Sequence, residues 1–374
     1  MPREGKPRSF ERGDEGSSLG ALPRPDGRTA LVYNPGLHVL GGGERYTFAL
    51  ARALAREYRV RLAGTSVPST GELRRRGFPT DLDTFTLPYR DYPGESAGYD
   101  LSVAVAIFPP SYPSRARRSY LQVSFPFRAP LGVRHPRAGF RERRALRSYD
   151  GLVANSEYTR EWIARRWKLP SEVVYPPADL GAYDPGRKLP VVLSLARFIP
   201  EKGQTVLVDA FVSLPRELRE SWTLVLAGGS TDSPPERDHL ERLRERAQGH
   251  NVDLRVNAPQ SEVVELLDTA SLFWHAAGYG RPRDRPQDAE HFGISIVEAM
   301  SRGAVPLVYA DGGALEIVHA AAGATWTTPA ELAQHAIVLM TESARRDDLA
   351  RASAQEARRF GTDEFERAVR ELMG

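Results

Sequence analysis

VVLSLARFIPEKGQTVLVDAFVSL, residues 191–214, lays out a strand, a turn and a helix in that order. Residues 191–195 form a short apolar run, which reads as a buried strand. Residues 204–214 read as a helix. The turn between them carries Arg197 and Lys202. A buried strand feeding a helix through a short loop is the repeating unit of a parallel sheet covered on both faces.

Outward from this unit the same alternation continues. Downstream, strands are expected at 224–226, 252–256, 272–275 and 305–309. Helices are expected at 237–248, 262–269, 293–302 and 313–319, and a last one spans 363–373. Upstream, 30–33 reads as a strand, then come a glycine loop and a helix over 44–56 on which Tyr46, Leu50 and Leu54 recur at helical spacing. Further strands are expected at 59–62, 101–108 and 151–154. The stretch YPPADLGAYDPGRKL, 175–189, is rich in Pro and Gly and lacks periodicity, as a linker does. The fold class is therefore α/β, with two Rossmann-like domains. The expected organisation is a disordered extension at 1–28, a first Rossmann-like domain at 29–175, a linker at 176–189, a second Rossmann-like domain at 190–358 and a C-terminal helix at 359–374.

Composition agrees with two domains. A chain of 374 residues exceeds what a single core usually supports. No apolar run is long enough to span a bilayer, and the polar start lacks the apolar stretch of a signal peptide. With 0 Cys there is no thiol nucleophile and no thiolate metal site, and a cytoplasmic location is expected. The net charge of +3 is small, but basic residues crowd into RARR at 115–118 and RHPRAGFRERRALR at 134–147. These stretches read either as solvated helix faces or as a surface for anionic lipid. Nucleic acid is not expected, because basic and aromatic residues do not interleave as in a recognition module.

Four segments could carry chemistry. GGGE at 41–44 lies between a strand and a helix, where Gly42 and Gly43 let backbone N–H groups approach an anion. Arg197 and Lys202 project from one strand-end loop and suit a diphosphate that becomes a leaving group. Lys202 is one of only four lysines, and its compact cation serves phosphate. In EHFGISIVEAM, 290–300, Glu290 precedes a helix opened by Gly293, and Glu298 falls on its second turn. Glu298 suits a ribose diol and Glu290 a sugar. The bland alternative makes Phe292, Ile294, Ile296 and Val297 simple core. Asp311-Gly312-Gly313 is a fourth candidate, a backbone nest that is more often only a turn.

Taken in order, GGGE (41–44), ANSEYT (154–159), VVYPPAD (173–179), RFIPEKG (197–203), LAGG (226–229), EHFGISIVEAM and GGALEIV (312–318) resemble glycosyltransferase family 4, retaining enzymes of the GT-B fold. The resemblance runs from residue 29 to the end and is strongest in the second half. It implies a crevice between the domains and a final helix crossing back onto the first. It also implies catalytic roles for Arg197, Lys202 and Glu290, and donor binding by Gly42, Gly43, Gly228, Phe292, Gly293, Ile294 and Glu298. The co-substrate would be a GDP- or UDP-linked sugar, with no other cofactor and no metal. The acceptor would be a glycan or lipid-linked glycan, as in cell-envelope polysaccharide synthesis, with contact to the inner face of an anionic membrane. EHFGI is similar to the form found in mannosyltransferases. One departure stands out. A first-domain histidine common in the family is absent after strand 101–108, which leaves His38, Gln122 and Ser124 as acceptor-side candidates. The loop GYGRPRDRPQD, 278–288, reads as a lid or a tolerated insertion. A sugar-nucleotide epimerase and a non-catalytic nucleotide-sugar-binding protein are the alternatives.

Overall fold

The computed structural model describes residues 27–132, 135–281 and 284–374. The expected extension lies outside the described residues as far as residue 26, as do Arg134 of the basic stretch and residues 282–283 of the polar loop.

Two all-parallel sheets form the molecule. The first has seven strands: β1 (Thr29–Tyr33), β2 (Arg59–Gly64), β3 (Asp83–Thr86), β4 (Leu101–Ala106), β5 (Arg118–Val123), β6 (Gly151–Ala154) and β7 (Glu172–Val173), ordered β3-β2-β1-β4-β5-β6-β7. The second has six: β8 (Leu189–Leu195), β9 (Thr223–Gly228), β10 (Val252–Val256), β11 (Ala270–His275), β12 (Val305–Tyr309) and β13 (Ala324–Trp326), ordered β10-β9-β8-β11-β12-β13. Parallel strands need crossovers, so helices cover both faces and the central strands are buried on both sides. Every residue of β1, β4 and β11 is buried. The strand order reverses between β1 and β4 in one sheet and between β8 and β11 in the other. Those reversals open crevices at the strand C-termini, where α/β sheets bind ligands.

The helix Thr362–Met373 returns to the first domain. Phe365, Val369 and Met373, spaced by one turn, join the core cluster that holds Tyr46 and Val60. The Phe365 ring meets Tyr46 edge-on at 5.2 Å. At the chain end, Tyr120 Oη donates to Leu372 O at 2.8 Å and Arg118 donates to Gly374 O at 2.9 Å.

Three departures from the sequence reading have local causes. β5 went unread because it opens on Arg118 and Ser119 inside what looked like a basic surface run. Arg118 is a strand residue whose guanidinium caps the last helix, not part of a solvated helix face. β13 is only three residues long, too short for periodicity to register. The strand expected to reach residue 108 stops at Ala106, and Ile107 and Phe108 are exposed.

Phe365 anchors the returning helix. Phe365→Ala is expected to cost about 3–5 kcal/mol of stability, read from the denaturant midpoint; a loss below about 1 kcal/mol would show that this helix does not brace the first domain.

Candidate functional site

A cleft of about 790 Å³ lies between the two sheets' switch points, with Gly42, Gly43, Gln122 and Ser124 on one wall and Arg197, Gly228, Glu290 and Glu298 on the other. The helix Gly42–Leu54 starts at its edge. Glu44 accepts from Gly41 N–H at 2.8 Å, closing the helix start on itself. The first-turn N–H groups of Gly42 and Gly43 have no intrahelical acceptor. A Cβ on Gly42 would come 3.7 Å from Ile294 of the opposite domain, and one on Gly43 would come 3.6 Å from Ser124. The loop thus brings bare backbone to the cleft wall, within ordinary contact distance of both domains.

On the second-domain wall, Arg197 follows β8 and is exposed. Its backbone is held from behind: Gln204 Nε2 donates to Arg197 O at 2.7 Å, and Gln204 Oε1 in turn pairs with His239 Nε2 at 2.9 Å. Gly228 is required by close approach, because a Cβ there would lie 1.8 Å from Ala196 O. Lys202 ends a short 3-10 turn, and its Nζ lies 2.7 Å from Glu290 Oε2. His275, the last residue of β11, places Nε2 at 3.0 Å from the same oxygen. Burial pushes the Glu290 carboxyl up, but the Lys202 charge and the His275 hydrogen bond outweigh it and hold the group well below the usual carboxylate range. Glu290 is therefore a fixed anion.

Gly293 adopts φ +114°, a left-handed conformation that suits glycine, and starts the helix Ile294–Ser301 whose first N–H groups point free of intrahelical acceptors. Phe292 is buried and packs into the domain core, so it shapes the wall from beneath. Glu298 sits on the second turn, and burial raises its carboxyl to about 7, opposed by the charge of Arg45 from the facing domain. Arg45, Arg75, Arg76 and Arg197 all line the cleft, and among the described residues none has an acidic partner within salt-bridge distance. An unneutralised cationic cleft beside two helix starts is built for an extended polyanion.

Not every expected residue reaches the cleft. His38 is exposed on the 3-10 turn Leu37–Val39, because buried Leu37 anchors that turn and directs its neighbour outward. Gln122, next to last in β5, does reach the cleft; it is buried, and its Nε2 has no hydrogen-bond partner. Ser124 lies beside it, with Oγ 3.5 Å from Gln122 Oε1. In the Asp311–Gly313 nest an amide is already occupied from within the protein. Gly313 N–H donates to Glu290 O at 2.7 Å, and a Cβ at Gly312 would lie 2.2 Å from that same oxygen. The nest clamps the Glu290 segment. The described part of the 278–288 loop is pinned to the first domain, with Tyr158 Oη donating to Pro286 O at 3.0 Å. Sequence reasoning missed His275 and Arg45, and also Asn155, which lines the first-domain side of the cleft. His275 was legible as the C-terminal residue of a strand, where parallel sheets place ligands.

The domains are latched next to the cleft. His291 stacks on Phe125 with centroids 4.2 Å apart and planes 7° from parallel. Burial lowers its imidazole to about 4, so the ring is neutral at pH 7. Glu316 accepts from the N–H groups of Glu157 at 2.8 Å and Tyr158 at 2.7 Å, capping the first-domain helix Glu157–Trp167 from the second domain. Among the described residues, no three His, Asp or Glu side chains converge as a metal site, and no helix is long and apolar enough to cross a membrane.

Residues 182–357 match the family model described as glycosyl transferases group 1. The chain is similar to the GDP-Man:Man(3)GlcNAc(2)-PP-Dol alpha-1,2-mannosyltransferase of Mus musculus, with 29% identity over 184 residues, 44% of this chain and 35% of that protein. The Homo sapiens protein of the same name is 28% identical over 242 residues, 58% of this chain and 46% of the relative. The chain thus spans less than half the length of these relatives. Among solved structures, Anabaena HepE in complex with UDP and glucose superposes with a TM-score of 0.69 at 18% identity, over 92% of this chain and 99% of that one. The fold is GT-B.

The Glu298 shift fixes a pH dependence. Between its ordinary 4.5 and about 7 the folded protein keeps a proton that the unfolded chain has lost. Stability from this site is thus present at low pH and falls as pH rises towards 7. Glu298→Gln, with no proton to lose, is expected to gain on the natural protein by on the order of 1–3 kcal/mol from pH 4.5 to about 8. A difference that stays flat across denaturant melts in that range would contradict the assignment.

Proposed function

We propose, from the match of residues 182–357 to the glycosyl transferases group 1 model, that the protein is a retaining, metal-independent hexosyltransferase that moves a sugar from a nucleoside-diphosphate donor to a glycan or lipid-linked acceptor. The observation that carries this is the cationic second-domain wall. Arg197 and Lys202 sit on one strand-end loop, beside the free N–H groups at Ile294 and across from those at Gly42 and Gly43. These groups stabilise the diphosphate as the bond from sugar C1 to the β-phosphate oxygen breaks. The acceptor hydroxyl forms the new bond to C1 on the same face, and its proton passes to the departing phosphate. No enzyme nucleophile is invoked, and charge stabilisation by Arg197 and Lys202 does the work a divalent ion would otherwise do. Glu298 binds the ribose diol, Glu290 the sugar hydroxyls, and Gln122, with an unused buried Nε2, faces the reaction from the acceptor side.

The relatives named for GDP-mannose make GDP-mannose the first donor to test; the UDP and glucose in HepE make UDP-glucose the second. The relatives' names also specify a lipid-linked glycan, which favours an acceptor at a membrane surface. The helix Pro136–Leu146 supports that placement. It buries Glu142, Ala145 and Leu146 and exposes Phe140 at 65% beside Arg137 and Arg141. An aromatic flanked by arginines is the pattern of a surface that meets anionic headgroups.

The direct test is transfer of labelled hexose from these donors to a lipid-linked glycan in EDTA. Full activity without added metal, retention of anomeric configuration by NMR and a loss of about 10²–10³-fold in Lys202→Ala are expected. Release of free sugar alone, restoration only by Mg²⁺, or near-normal turnover in Lys202→Ala would each contradict the corresponding part of the proposal.

A further inference from the structure

Glu290 offers two carboxylate oxygens, and the protein uses only one. Oε2 receives both Lys202 Nζ at 2.7 Å and His275 Nε2 at 3.0 Å, while Oε1 accepts no hydrogen bond among the described residues. The two donors differ in what they can do next. Lys202 is a point charge on a flexible four-carbon stem, 22% exposed, with three N–H groups to share. His275 is 3% exposed at the end of a central strand, and its buried Nδ1 has no partner, so the ring's one hydrogen bond is the one to Glu290. With Nε2–H donating to a carboxylate, the ring has one orientation.

A diphosphate arriving beside Arg197 competes for the Lys202 ammonium. Once Lys202 turns towards it, only His275 still fixes the Glu290 carboxylate. We propose that His275 is a positioning residue for donor-sugar recognition: it holds Oε2 in both the empty and the loaded cleft, so that Oε1 alone faces the hexose and accepts from its hydroxyls. This rests on the glycosyltransferase reading above and names the residue that makes sugar selection by Glu290 independent of the phosphate-binding lysine. Nothing in the chemistry of the step changes. His275 touches neither the sugar nor the reacting atoms, and it acts through the carboxylate it orients.

The consequence is a split between two ligands that share a nucleotide. Calorimetry measures dissociation constants for GDP and GDP-mannose, or UDP and UDP-glucose, with the natural protein, His275→Leu and His275→Gln. His275→Leu is expected to leave the nucleoside diphosphate within about 3-fold and to weaken the sugar nucleotide by about 10–100-fold, the size of one lost hydrogen bond to a charged group. His275→Gln, whose amide N–H takes the place of Nε2–H, is expected to restore most of that loss. If the Leu variant does not fold, His275→Asn, too short to reach Oε2, replaces it in the same comparison with Gln. Equal weakening of both ligands, or of neither, would overturn the proposal while leaving the donor site standing. Failure of the natural protein to bind any nucleoside diphosphate would overturn the donor reading and this inference with it.

Discussion

A single carboxylate oxygen ties together side chains from three segments at the C-terminal edge of the second sheet. Glu290 Oε2 draws in Lys202 from the turn after β8 and His275 from the end of β11, and the Glu290 carbonyl is clamped by Gly313 after β12. Burying an anion is costly unless its hydrogen bonds are satisfied. The cation and the ring donor offset that cost and hold the carboxyl well below its usual range. The result is a rigid floor for the second-domain half of the cleft. The parallel sheet decides where that floor lies, since β8 and β11 flank the point where strand order reverses.

The facing wall is held against this floor by contacts that also belong to the second domain's site segments. His291, next to Glu290, stacks on Phe125; Glu316, three residues after the Gly313 clamp, caps the helix Glu157–Trp167. Binding residues and domain latch alternate along the same short motifs. The returning helix Thr362–Met373 adds a second tie between the domains through Phe365. Substitutions in 290–318 are thus expected to act on both ligand contact and domain spacing.

Much of this was legible beforehand, for identifiable reasons. Buried parallel strands are continuous apolar runs, so β1, β4, β8, β11 and β12 could be read from the sequence, and the loops after them located the cleft. Arg197, Lys202, Glu290 and Glu298 were singled out because charged side chains in the loops after parallel strands, or on a helix that glycine opens there, face the crevice of the sheet. What escaped depended on partners distant in the chain. His275 gains its role only from Glu290, fifteen residues on and past a polar loop. Arg118 looked like surface until the C-terminus folded over it. Asp311–Gly313 looked like a phosphate nest because the sequence shows a nest but not its occupant, which is the Glu290 carbonyl. His38 failed for the opposite reason: proximity to the glycine loop in sequence did not survive the outward turn set by buried Leu37.

The central claim is that the second-domain wall, through Arg197 and Lys202, holds the diphosphate of a nucleotide sugar. Calorimetric titration of GDP, UDP and ADP into the protein in EDTA, with the Arg197→Ala/Lys202→Ala double variant alongside, tests it most directly. Binding of one nucleotide that disappears in the double variant is the predicted result. Binding that survives the double substitution, or no binding of any nucleotide to the natural protein, would contradict the account.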